Sequence, residues 1–285
     1  MKLLVKFLNL IVYSNLFIAI GALAVTLQTK YLWSGHYSMD AISYFIFAST
    51  LSLYAFHRLV GIDKTKTLED KGRFLVIINY RNHILAYGII ALLISAYFFL
   101  QLKMLTQIVI LLPSIFSIAY VAPIFGNGRR LRDLPFLKLF IIAFSWSILT
   151  TIVPSLEWYG MIDYTTIMMA LERFFFLLLI TLPFDIRDHF IDIRSNIKTI
   201  SNIFGIRSAK IIAILFGLLY FYFAWQNYET YAVYSLHTVY AHSICFIITC
   251  LLIIGASPKR HDYFYALLMD GLLILQFGFI LIFNG

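Results

Sequence analysis

The chain is predicted to be an all-α integral membrane protein of about nine transmembrane helices, and three observations carry that expectation. Hydrophobic residues make up 61% of its 285 residues and charged residues only 13%, about half the roughly 25% usual in a soluble domain. Apolar stretches of about 20 residues, the length of a helix that crosses a bilayer, recur along the whole chain. These stretches are continuously apolar. A transmembrane barrel would alternate instead, and lipid leaves no open sheet edge satisfied.

The membrane helices are expected near 7–29, 40–56, 82–100, 104–121, 135–155, 164–184, 208–226, 234–255 and 264–283. The first follows Lys2 and Lys6 and contains Ala22-Leu23-Ala24, which mimics a signal cleavage site; its length favours a spanning helix over a cleaved leader. The connections between helices sort by charge. Lys2 and Lys6 fall on one side, with Arg58, Lys64, Lys66, Lys71, Arg73 and Arg81. Arg129, Arg130, Arg132 and Lys138 share that side, as do Arg187, Arg194, Lys198, Arg207, Lys210, Lys259 and Arg260. The other side keeps only Lys30 and Lys103. This asymmetry places the N-terminus in the cytoplasm and the C-terminus outside, and an odd helix count is what lets every basic connection share one face. It also accounts for the net charge of +8 without a nucleic acid. Cys245 and Cys250 share one apolar run and read as small buried hydrophobes.

Residues 1–285 form one transmembrane domain. Two long connections, 56–82 and 185–208, follow the second and sixth helices and suggest two related halves. Arg58 and Asp63 are spaced like Arg187 and Asp192, and a Lys-Thr pair follows each: Lys66-Thr67 and Lys198-Thr199.

The second of these connections holds the pattern that looks built for chemistry. Asp185, Asp188 and Asp192 recur at i, i+3 and i+7, within an arc of roughly 60° on a helix. Like charges on one face repel, and a divalent cation such as Mg²⁺ would offset them while binding a substrate phosphate. Pairing with the neighbouring Arg and Lys would offset them equally, and the residues alone leave both readings open. His189 follows Asp188 and could be a base, an outer partner of the acidic site or, the more usual case, a polar filler at the interface. His57, if protonated, could donate to a phosphate. Inside the apolar runs lie Glu172, Arg173 and Asp270. Adjacent Glu172 and Arg173 diverge by about 100°, and Arg173 with Asp270 is the ion pair expected to fix helix packing. Arg132 is expected to serve the lipid surface.

The segment Pro183-Phe184-Asp185-Ile186-Arg187-Asp188, with Asp192, Lys198-Thr199 and Phe204-Gly205, resembles the second aspartate-rich motif of the UbiA-type membrane prenyltransferases. Asn196 stands where that motif usually has Gly, and Ile200-Ser201 replaces Leu-Pro. Tyr120, Pro123, Arg129, Arg130, Leu131, Pro135, Lys138 and Ser145-Trp146 also resemble the family. Its first motif, Asn-x-x-x-Asp-x-x-x-Asp, is degenerate here. The corresponding stretch from Leu51 to Asp63 keeps Asp63 as its only carboxylate, with His57 and Arg58 nearby.

The resemblance implies a UbiA-type bundle and a Mg²⁺-dependent transfer of a prenyl group from a polyprenyl diphosphate to a lipid-soluble, possibly aromatic, acceptor. Asp185, Asp188 and Asp192 would be the catalytic metal ligands, with Asp63 a remnant of the other site. Arg58, Arg129, Arg130, Lys198 and Tyr120 would hold the diphosphate. The missing first motif supports a rival: a non-catalytic membrane protein on the same scaffold, binding an isoprenoid phosphate, a quinone or a protein partner.

Overall fold

The computed structural model describes residues 14–65, 80–122 and 130–284, with the backbone alone at 61–65. The described residues form long helices joined by short connections: α1 (Leu16–Ser34), α2 (Ala41–Thr65), α3 (Arg81–Phe99), α4 (Met104–Val121), α5 (Leu137–Tyr159), α6 (Tyr164–Arg187), a short α7 (His189–Arg194), α8 (Ile200–Glu229), α9 (Leu236–Gly255) and α10 (Phe264–Asn284). Among the described residues eight of these helices are long and apolar enough to cross a membrane. The ninth long helix, α2, falls outside that set and carries His57, Arg58, Asp63 and Lys64 in its last turns. The chain is an integral, multi-pass membrane protein. Residues 7–13 of the expected first helix lie outside the described residues.

Two helices run further into the polar connections than hydropathy suggests. α2 continues through the described residues to Thr65, because nothing in His57-Arg58-Leu59-Val60 breaks a helix, so helix occupies the start of the first expected connection. The second, expected over 185–208, is largely helical. α6 reaches Arg187, α7 follows at once, and α8 starts at Ile200. The early start of α8 comes from capping: the Thr199 N–H donates to Asn202 Oδ1 at 2.9 Å, and the Thr199 side chain caps in return. α8 then kinks at Gly205, whose φ of 84° suits glycine.

α6 is the central post. Phe176, Leu178, Leu179, Leu182 and Ile186 are fully buried, in a core shared with α1, α5, α8, α9 and α10. α3 and α4 instead present apolar side chains outward, Leu93 65% and Ile115 63% exposed, as lipid-facing helices should. Small residues bring α1 close to its neighbours: Ala19, Gly21, Ala22 and Ala24 are buried.

α5 contains a wide turn at Ile148–Ile152, just before Pro154. Pro154 has no N–H to return to the Thr150 carbonyl, four residues back. The Thr29 hydroxyl of α1 donates to that carbonyl instead, at 2.8 Å.

The ionisable pair within α6 points two ways, as its spacing requires. Arg173 donates to the Val25 carbonyl of α1 at 2.9 Å. Glu172 accepts from the Tyr234 hydroxyl and lies 3.6 Å from His242 Nδ1. His242 bonds Tyr220 at 2.7 Å, and the Gln276 amide of α10 donates to Tyr220 at 3.0 Å. The expected Arg173–Asp270 pair is therefore corrected. Asp270 feels the charges of Arg187 and Arg58 at the other end of the bundle; Arg187 is 14 residues, or about 21 Å, along α6 from Arg173.

Candidate active site at the basic end of the bundle

The last turn of α6, the short α7 and the return loop set the acidic residues. Asp185 and Asp192 are each 4% exposed. The loop after α7 turns at Asn196, whose φ is 53°. Asn tolerates this left-handed conformation, which explains its place where the family motif has Gly. The Ile197 N–H donates to the Asp192 carbonyl at 2.9 Å, and the Ser201 hydroxyl donates to the Asp185 carbonyl at 2.7 Å.

The same loop delivers a lysine. The Phe136 N–H donates to the Lys198 carbonyl at 3.1 Å, which docks the start of α5 against the return loop. Two residues on, the Lys138 ammonium lies 2.9 Å from Asp185 Oδ1 and 3.8 Å from Asp192 Oδ2. Lys138 is buried, yet its Nζ makes no well-aligned hydrogen bond; neither does Asp192 Oδ2. Burial is the largest influence on the Asp192 carboxyl, which is pushed up to about 6; Lys138 opposes the shift, while Asp188 and Asp185 add to it.

The third aspartate faces a different cation. Arg187 holds Asp188 through two hydrogen bonds of 2.9 and 3.0 Å. Its guanidinium lies 4.9 Å over the Phe184 ring and 5.8 Å over the Tyr265 ring.

Across the mouth, Arg132 and His57 meet. Arg132 Nη1 lies 2.5 Å from His57 Nε2. A guanidinium only donates, so Nε2 accepts and the ring is neutral here. The condition under which His57 could donate to a phosphate, protonation, is not met in this arrangement. The Arg132 guanidinium also stands 5.4 Å over the Tyr120 ring, which corrects its expected role at the lipid surface. Arg132 lies in the 3₁₀ turn Leu131–Asp133.

Of the expected diphosphate ligands, Arg130 and Arg58 lie close enough to His57 to act on it with Arg132 and Lys138. Tyr120 lies under Arg132 and close to His57. Arg130 is buried and clamped to Asp133 by its Nε and Nη2, at 3.2 and 3.1 Å. Arg58 is half-buried on α2, and Lys198 is exposed, joining the site through its backbone. Arg129 and the Asp63 side chain lie outside the described residues. His189 reaches Ser201 at 3.4 Å.

Sequence reasoning missed Lys138 and Arg132 as site residues. The signal for Lys138 was its position in the first turn of an apolar helix, where an ionisable group needs a buried partner.

Of the carboxylates expected to hold Mg²⁺, Asp185 and Asp192 share the Lys138 ammonium; Asp188 is near enough to act on the Asp192 carboxyl but is held by Arg187, and the Asp63 side chain lies outside the described residues. Among the described residues no group of three His, Cys, Asp or Glu side chains is arranged to hold a metal ion. As arranged, these side chains do not fit a divalent ion.

No protein-family model and no curated protein sequence matches the chain. Solved structures do. A UbiA homologue from Archaeoglobus fulgidus bound to DMAPP and Mg²⁺ is 12% identical, with 95% of this chain and 98% of that one covered, at a TM-score of 0.65. A UbiA homologue from Aeropyrum pernix K1 without ligand is 12% identical over 95% and 96% of the two chains, at 0.64. A digeranylgeranylglyceryl phosphate synthase is 13% identical over 100% and 98%, at 0.60. From end to end, the chain has the fold of the UbiA-type membrane prenyltransferases.

Proposed function

We propose that the protein binds a polyprenyl diphosphate at the basic end of its bundle and transfers the prenyl group to a lipid-soluble acceptor. The observation that carries this reading is the convergence of Lys138 with Asp185 and Asp192, and of Arg132 with His57 and Tyr120, in a fold whose solved examples hold such diphosphates. Guanidinium and ammonium groups are the side chains that recognise phosphate oxygens. Arg132 Nε, buried without a hydrogen-bond partner, and the Lys138 ammonium, paired with Asp185 but without a well-aligned hydrogen bond, hold donors that a diphosphate would engage. Arg129, Arg130, Lys198 and Arg58 remain the further basic groups proposed for the same anion.

Mg²⁺ belongs to this reading through the resemblance and through the solved structures that hold it. The described side chains offer it two carboxylates with a lysine between them. That arrangement favours the rival reading at one point: a protein can hold the diphosphate without ionising it.

Saturable binding of radiolabelled geranyl diphosphate to the detergent-purified protein tests the proposal, beside Arg132→Ala. Binding is expected, weakened about tenfold by the substitution, the worth of one charge-assisted contact. Turnover in membranes supplied with phenolic and quinol acceptors then separates transfer from binding alone. Absence of saturable binding would overturn the proposal and leave the non-catalytic scaffold that serves a quinone or a protein partner.

A further inference from the structure

The place between Asp185 and Asp192 belongs to a side chain of the protein itself. Two carboxylates that share a divalent ion bring one oxygen each to about 2.0–2.1 Å from Mg²⁺. Here the Lys138 ammonium lies 2.9 Å from Asp185 Oδ1 and 3.8 Å from Asp192 Oδ2. An ion between those oxygens would touch the nitrogen and meet its positive charge at contact distance. Lys138 is also held there. It sits in the first turn of α5, whose start is docked by the Phe136 N–H on the Lys198 carbonyl. It is 9% exposed, and both acids are 4% exposed, so the three charges share one enclosed volume. Of the other two expected carboxylates, Asp188 is engaged by Arg187 through two hydrogen bonds, and the Asp63 side chain lies outside the described residues.

We infer that Lys138 is the resident cation of this site: its ammonium takes the place of a divalent ion between Asp185 and Asp192, and a diphosphate bound here is met by nitrogen-borne charge alone. An ammonium carries three donors, and in this arrangement none is spent on a well-aligned hydrogen bond. One or two can turn to phosphate oxygens while the ion pair with Asp185 persists. Arg132, whose Nε is also buried without a partner, supplies the second positive group. The statement about diphosphate rests on the proposed function; the statement about the acid pair stands without it.

Two measurements on the full-length, detergent-purified protein test the inference separately from that function. The first is Mn²⁺ binding followed by electron paramagnetic resonance, with no prenyl compound present. The wild-type protein is expected to bind no Mn²⁺ saturably up to millimolar concentration. Lys138→Met is expected to gain one site at least tenfold tighter, lost again in Lys138→Met/Asp185→Asn. One tight Mn²⁺ on the wild type that disappears in Asp185→Asn would overturn the inference, and so would a folded Lys138→Met protein with no new site. Should Lys138→Met fail to fold, the wild-type titration beside Asp185→Asn decides alone.

The second measurement is geranyl diphosphate binding in EDTA and in Mg²⁺. Equal affinity within about twofold supports the inference, and a tenfold loss in EDTA overturns it. No binding in either condition counts against the proposed function, and the Mn²⁺ result then decides the role of Lys138.

Discussion

Asp192 shows how one residue reports the balance of charge in the site. Its carboxyl is held at about 6 against an ordinary 3.8, through burial and then through the neighbouring Asp188 and Asp185, with Lys138 pulling the other way. A carboxyl raised in the folded state takes up a proton there that the unfolded chain does not. The cost of burying its charge is fully present above about 6 and is relieved as the pH falls from 6 towards 4. Asp192→Asn should remove that component. In detergent, the wild-type melting temperature is expected to rise relative to the variant's between pH 7 and 5; parallel curves would show that Asp192 does not titrate in this window. Asn196 shows the converse, a residue read correctly as a departure from a pattern but understood only in three dimensions. The turn needs a left-handed residue, and Asn supplies it almost as well as Gly. Lys138 was visible in the sequence as a basic residue near a helix start. Its partners were not, because they are set by a backbone hydrogen bond between loops 62 residues apart, Phe136 to Lys198.

Hydropathy located the long helices well, since a bilayer demands about 20 apolar residues whatever the tertiary contacts. It missed where they begin and end. α2 and α8 extend through polar residues whose helical state depends on caps and on the absence of breakers. It could not see the exchange of partners in α5, where Pro154 leaves the Thr150 carbonyl to the Thr29 hydroxyl. That exchange makes a sharp prediction. Thr29→Val strands the carbonyl inside the bundle, at about 1–3 kcal/mol. In a Pro154→Ala background, where residue 154 regains its N–H, the same substitution should cost measurably less. A double-mutant cycle on thermal unfolding reads the coupling, and additive losses would show that the two residues act independently.

Taken whole, the molecule has two polar centres at different depths, strung along α6. One is the mouth, with Lys138, Asp185, Asp192, Arg132 and His57. The other is the enclosed chain of Arg173, Glu172, Tyr234, His242, Tyr220 and Gln276. The fold class and the acidic motif could be read from the sequence because both are local patterns. The second centre could not, because its members come from α1, α6, α8, α9, α10 and the turn before α9. Between apolar helices in lipid there is little hydrophobic drive to associate, so such interhelical bonds fix which helices adjoin.

The same second centre constrains how the chain enters its membrane. Arg at the middle of a helix costs about 2.5–3.5 kcal/mol to insert, and α6 carries Arg173 beside Glu172. The carbonyl that receives Arg173 belongs to α1, synthesised long before. The groups that receive Glu172 belong to the turn before α9 and to α9 itself, synthesised afterwards. α6 therefore arrives with one debt already covered and another outstanding. A chain ended near residue 229 is expected to leave α6 incompletely lodged, and extension past residue 255 should complete it. Accessibility of single cysteines placed along α6 in nested truncations measures this directly; full protection in the shorter chain would show that α6 enters without waiting for α9.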